Sequence, residues 1–208
     1  MTSVLTRVLM AAVLAAMGVL AWQAQAGPLA HSATFAPVGA QTSVPYGWLD
    51  FCDRRPHECD VALLPALDVN LNSRAWKVLN RINRQVNDFI EPVSNMDHWG
   101  TMLDHWDYPV DGKGDCKIYA LYKRKLLMDE GFPRQALLMT VVKDLHGEGH
   151  TILTVKTTNG EFVLDNLTDE LRPWNATGYR YLKRQTQEDP NVWVSLDGAA
   201  NFSARADR

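Results

Sequence analysis

Three residues in this chain have the types and spacing for nucleophilic chemistry: Cys116, His150 and Asp165. Cys116 stands in Gly114-Asp115-Cys116, at the head of a segment with helical periodicity. His150 opens the apolar run Thr151-Ile152-Leu153, and Asp165 closes Phe162-Val163-Leu164. A thiol at a helix N-terminus meets unpaired N–H groups and the positive end of the macrodipole, which favour the thiolate. Asp115 opposes that effect and Lys117 assists it. An imidazolium beside the sulfur decides the matter, and an acid must then orient the imidazole. Taken singly, a histidine at a strand end is more often structural than catalytic. The cysteine and the aspartate raise its odds.

The other five histidines fit the role less well. His31 lies in a polar lead-in, His57 sits between two cysteines, and His98 and His105 precede Cys116 in an irregular stretch. His146 is flanked by Gly147, Glu148 and Gly149, a loop composition.

Whether Asp165 reaches His150 depends on the hairpin between them. A two-residue turn at Asn159-Gly160 sets Asp165 opposite Thr154, leaving His150 ~13 Å away along the strand. A four-residue loop at residues 157–160 sets Asp165 opposite Ile152. His150 is then a diagonal neighbour ~7–8 Å away, a gap two side chains span. The triad therefore predicts the longer loop or a bulge, with Gly160 in the left-handed region.

The chain has three cysteines. Cys52 and Cys59 are close enough in sequence to close a small disulfide loop, worth roughly 2–3 kcal/mol. The rival reading is a metal site of Cys52, His57 and Cys59, which lacks a fourth tetrahedral ligand. Pairing the two leaves Cys116 as the lone thiol. Disulfides persist in oxidising compartments, and the N-terminus agrees. Arg7, an apolar run over residues 8–21 and Ala24-Gln25-Ala26 read as a signal peptide over residues 1–26. The run is shorter than the ~20 residues that span a bilayer. The expected location is periplasmic or secreted.

These residues need a scaffold. Residues 27–45 read as a flexible lead-in, 46–198 as one domain and 199–208 as a disordered tail. A helix is expected from an Asn72-Ser73 cap to about Ile90, with Trp76, Leu79, Ile82, Val86 and Phe89 as its buried stripe. A second runs over residues 115–130, capped by Asp115 and ended by Gly131. Ile118, Leu121, Tyr122 and Leu126 form its buried face, and Lys123, Arg124 and Lys125 suit the negative end of its dipole. Strands follow at residues 136–143, 151–156, 161–164 and 192–196. Helices first and antiparallel strands after is an α+β order. The net charge of −3 argues against nucleic acid as a partner. The densest basic stretch, residues 180–184, reads as a solvated face.

Gly114-Asp115-Cys116, His150-Thr151-Ile152-Leu153 and Val163-Leu164-Asp165-Asn166-Leu167, in this order, resemble the bacterial transglutaminase-like cysteine proteinases. Asp104-x-Trp106 and Trp99 also fit. The resemblance covers residues 71–167. It implies a papain-like fold with the cysteine helix packed on an antiparallel sheet. It also implies Cys116 as nucleophile, His150 as general base and acid, and Asp165 as orienter. The Cys116 N–H would be one oxyanion donor and Trp99 a candidate second. The best-known members are periplasmic proteases that clip surface adhesins, bind calcium beside the active site and can be sequestered by an inner-membrane receptor. Those members carry an acidic residue directly after the cysteine, as a calcium ligand. This chain has Lys117, whose ammonium would repel the ion. Asp111 and Asp115 remain as weak ligands, so the expectation is no metal cofactor.

Three functions are compatible with these residues. One is an endopeptidase acting on a protein or peptide substrate. The second is an acyl transferase, in which an amine replaces water at the same thioester. The third is a binding module with an inert thiol. The first is favoured.

Overall fold

The computed structural model describes residues 34–196. The expected signal peptide and the expected tail lie outside them.

The first helices gather around aromatic side chains. Helix α1, Tyr46–Arg54, begins after Pro45 and buries Trp48 and Phe51. Helix α2, Pro56–Cys59, follows at once, and the Cys52–Cys59 disulfide staples the two, with Cα atoms 5.5 Å apart. Helix α3, Ser73–Phe89, starts where the Asn72 side chain accepts from the Ala75 N–H. Its buried stripe is shorter than expected. Leu79, Ile82 and Val86 are buried, but Trp76 and Phe89 lie at the surface, against Phe162 and Tyr122. The stripe drifts around the cylinder, so the end positions fall beyond the packed face.

A short parallel pair follows, β2 (Glu91–Pro92) with β3 (Lys113–Gly114), and between them lies helix α4, Asn95–Trp99. Helix α5, Cys116–Asp129, packs on α3 and on the sheet. That burial on two sides overturns the expected dipole role of Lys123 and Arg124. Both are fully buried. Lys123 Nζ bonds Asn87 Oδ1 at 2.6 Å, and Arg124 Nε bonds the Leu137 carbonyl at 3.3 Å.

The remaining strands are β1 (Gln41–Thr42), β4 (Leu137–Lys143), β5 (Gly149–Thr157), β6 (Gly160–Leu164), β7 (Arg172–Pro173), β8 (Arg180–Gln185) and β9 (Trp193–Ser195). They form one antiparallel sheet in the order β1-β9-β8-β4-β5-β6-β7. This is the expected α+β architecture. Its helix-facing core holds Leu137, Met139, Leu153, Val155 and Leu164. A smaller cluster that includes Val142, Ile152, Val163, Trp174, Tyr179 and Tyr181 fills the other face.

Two sequence expectations change here. The lead-in, from residue 34 on, is part of the fold. β1 pairs with β9, and the Ala36 N–H donates to Glu161. The basic stretch at 180–184 is an interior strand, β8, paired on both edges. Tyr181 and Arg184 are buried, and Arg184 Nη1 meets Glu161 Oε2 at 2.7 Å. A buried carboxylate supplies the partner that lets an arginine leave water.

Candidate active site

Cys116 is the first residue of α5, and Asp115 is its N-cap, accepting from the Lys117 N–H at 3.3 Å. The helix start is held from behind by β3, whose last residue, Gly114, packs against Ile118 of the first turn. A Cβ at position 114 would fall 2.5 Å from Ile118 Cγ2. Cys116 is the free thiol and is half-buried.

His150 is the second residue of β5 and pairs with Val142 of β4. The β5–β6 register runs from Leu153 opposite Leu164 to Thr157 opposite Gly160. Continued by one pair, it sets Asp165 opposite Ile152, the register that the triad requires. The connection is tighter than a four-residue loop. Thr158 and Asn159 make the turn, one residue earlier than an Asn-Gly turn would fall. The Thr157 hydroxyl donates to the Gly160 carbonyl at 2.7 Å. Gly160 has φ +102°, the positive backbone region that this closure needs and that a side chain would resist.

The outcome is a hydrogen bond between His150 Nε2 and Asp165 Oδ1 at 2.8 Å, both groups buried. With Nε2 engaged, Nδ1 is the ring nitrogen left for the thiol. Burial works against the imidazolium. The bonds to Asp165 and Cys116 and their negative charge outweigh it, lifting His150 from 6.5 to about 10.

Asp165 is held by more than the histidine. Its Oδ1 also accepts from the Leu167 N–H at 3.1 Å, and its Oδ2 from the Tyr179 hydroxyl at 2.7 Å. Burial pushes its carboxyl up, but the donors win and hold it below the ordinary value. Tyr179 also sets its ring edge-on to His150, with centroids 5.7 Å apart. Behind the carboxylate, Asn87 Nδ2 donates to the Asp165 carbonyl at 3.1 Å, while Asn87 Oδ1 accepts from Lys123. Burial lowers Lys123 to about 7.

Lys117 sits just past the cysteine, its ammonium between two carboxylates. It meets Asp104 Oδ1 at 3.0 Å and Asp115 Oδ2 in a close contact. Burial disfavours its charge, but Asp115, then Asp104, then Cys116 more than restore it, and its pKa is raised. Asp104 Oδ2 accepts from the indole of the buried Trp106 at 2.9 Å. Asp111 bonds elsewhere, to His98 Nε2 at 2.8 Å and to the Lys113 N–H at 3.1 Å. Trp99 stacks on His98 and His105, with centroids 4.0 and 4.6 Å away. Among the described residues, no hydrogen bond or ring contact ties it to Cys116, His150 or Asp165.

Sequence reasoning missed Tyr179, Asn87 and Lys123. Tyr179 follows a Thr177-Gly178 turn with no catalytic spacing to mark it. Asn87 had a weak signal, as a polar residue beside the apolar stripe of α3. The arrangement as a whole suits acyl transfer: a thiol at a helix start, an imidazole able to carry its proton, and a carboxylate fixed on both oxygens.

Residues 38–201 match a sequence family described as bacterial transglutaminase-like cysteine proteinase. Among solved structures, one of Legionella pneumophila LapG is 24% identical, with 63% of this chain and 75% of that chain covered at a TM-score of 0.50. A calcium-bound form is 23% identical over 64% and 81% of the two chains, at a TM-score of 0.49. An EGTA-treated form is 25% identical over 58% and 67%, also at 0.49. At this level the likeness speaks to the fold. No curated protein matches the chain.

Proposed function

The chain belongs to the bacterial transglutaminase-like cysteine proteinases, and we propose that it is an exported endopeptidase working through a Cys116 thioester. In this reading, Cys116 attacks the scissile carbonyl as a thiolate whose proton His150 Nδ1 already holds, as its raised value requires. The tetrahedral intermediate collapses as His150 returns that proton to the leaving amine. Water, deprotonated by His150, then hydrolyses the thioester. Asp165 fixes the ring through Nε2, and Tyr179 fixes Asp165. The Cys116 N–H, first in its helix and without an intrahelical partner, serves in this reading as an oxyanion donor. The observation that carries the reading is the His150–Asp165 bond at 2.8 Å, which engages Nε2 and leaves Nδ1 for the Cys116 thiol.

The substrate class is an exported or surface protein. Export rests on the N-terminal sequence of residues 1–26 and on the Cys52–Cys59 disulfide, which suits an oxidising compartment.

Calcium, present in one LapG structure, does not fit the donors here. The ion takes six to eight oxygens. Both oxygens of Asp115 and both of Asp104 already accept from N–H donors, one of them an ammonium shared between the two side chains. The oxygens of Asp111 are likewise taken. No catalytic step is assigned to a metal.

The test compares exported proteins of the producing cell with those of a Cys116→Ala strain. A fragment should vanish in the variant. An unchanged set of exported proteins, together with no pH-dependent iodoacetamide labelling of Cys116, would sink the proposal. Incubation with a glutamine donor and a labelled amine distinguishes hydrolysis from acyl transfer.

A further inference from the structure

Lys117 is unusually placed for a lysine in a first helical turn. Its side chain is only 13% exposed, and its ammonium joins two different segments of the chain. One is the N-cap of α5, through Asp115. The other is the irregular segment between α4 and β3, through Asp104. That segment runs on into Trp106, a fully buried ring packed edge-on to Trp48 and Trp193. Asp104 thus faces the core anchor on one oxygen and Lys117 on the other.

Two carboxylates this close to one point repel unless a cation lies between them. Asp104 is 40% exposed, but Asp115 is mostly covered, so water screens the pair only in part. A positive group between the two carboxylates offsets what repulsion remains and ties the Asp104–Trp106 segment to the start of the cysteine helix.

We propose that Lys117 is that cation: a covalently attached counter-ion that occupies the place a divalent metal would need and makes the Cys116 site assemble without one. The idea rests on the proposed Cys116 site for its catalytic consequence, but its structural claim stands apart from turnover. The ammonium replaces two charges with one. It stays attached at any metal concentration, so metal supply cannot switch the site. Lys117→Glu would remove the ammonium and leave three carboxylates converging on one point, a donor set of the kind calcium selects.

The experiment is thermal melting of the purified full chain in millimolar calcium chloride and in EGTA, with iodoacetamide labelling of Cys116 under both conditions. Wild type should melt at one temperature and label at one rate in both. K117M should melt lower than wild type, with no response to calcium. K117E should melt lower still in EGTA and regain about 2–4 °C in calcium, with labelling of Cys116 restored in parallel. A wild-type melting temperature that rises with calcium and falls with EGTA overturns the proposal, as does K117M melting like wild type. K117E unmoved by calcium removes the claim that Lys117 stands in a cation's place. If K117E does not fold, the wild-type and K117M melts still decide. A protein that cleaves nothing yet melts as expected counts against the peptidase reading and leaves this one intact.

Discussion

The Tyr179 hydroxyl donates to Asp165 Oδ2 at 2.7 Å, on the carboxylate oxygen that His150 does not use. The two donors together pin the carboxylate in one plane, and the carboxylate in turn pins the imidazole. Burial and the bond to Asp165 raise Tyr179 far above an ordinary phenol, so it remains a donor at any working pH. Removing the hydroxyl leaves one buried charged oxygen unpaired, at a cost of about 1.5–3 kcal/mol. Tyr179→Phe should therefore lower both the melting temperature and the rate of Cys116 alkylation, the latter by about tenfold if ~1.4 kcal/mol of it falls on the site. Wild-type alkylation in Y179F would show that Tyr179 only fills space.

The raised pKa of His150 has a signed consequence. The imidazole titrates at about 10 in the folded chain and near 6.5 when unfolded. Its charged form therefore stabilises the fold fully below pH 6.5, and that contribution is lost as pH rises through 10. Asp165 runs the other way: its contribution is present above the ordinary carboxylate value and is lost as pH falls through its depressed one. The alkaline limb of kcat/KM should lie well above 7. Asp165→Asn removes the negative charge that helps hold the proton on His150, so that limb should move down toward 6.5. A pH–rate profile with the same alkaline limb in wild type and D165N would contradict this assignment.

Much of the site was legible in the chain before its fold was known, and the reasons are local. Asp115 before an amphipathic run marks the helix start that presents Cys116. The spacing of His150 and Asp165 across one hairpin allows two registers, and the observed one is the register that joins them. What was not legible depends on long-range returns. Tyr179 reaches Asp165 only because the chain passes through β7 and comes back. Lys123 and Arg124 read as cations serving the helix dipole because they fall in the second half of the helix. Their buried partners, Asn87 and the Leu137 carbonyl, belong to other elements. The strand at Arg180–Gln185 was hidden for the same reason, since its counter-ion is Glu161 on another strand.

That counter-ion gives a stability prediction separate from the site. Glu161 is buried and bonds Arg184 at 2.7 Å, Lys156 at 3.3 Å and the Ala36 N–H at 3.2 Å. Breaking a buried pair by removing one partner leaves an uncompensated charge and costs about 3–5 kcal/mol. Glu161→Ala should therefore shift the urea midpoint strongly downward, and added salt should do little in wild type, because the pair is shielded from it. An E161A midpoint equal to wild type would mean that Arg184 finds water or another acceptor.

Gly114 offers the sharpest test of how the cysteine is positioned. It ends β3, immediately before the N-cap of α5, and its backbone faces the side chain of Ile118 one turn into that helix. An added methyl would lie 2.5 Å from Ile118 Cγ2 and 2.7 Å from Ile118 Cβ, too close for either to remain in place. Ile118 is itself buried and cannot swing into solvent. The strand is held by its pairing with β2, where the Val93 N–H donates to the Gly114 carbonyl at 3.1 Å. The helix start must then give way, and Cys116 moves with it. Overpacking of this kind costs about 1–3 kcal/mol. Gly114→Ala should lower the folding stability by that amount and slow Cys116 alkylation beyond what the stability loss explains. Adding Ile118→Ala should recover part of the labelling rate by removing Cγ2, the atom nearest the added methyl. A G114A protein that melts lower but labels at the wild-type rate would place the strain in β3 rather than in the turn that carries the thiol.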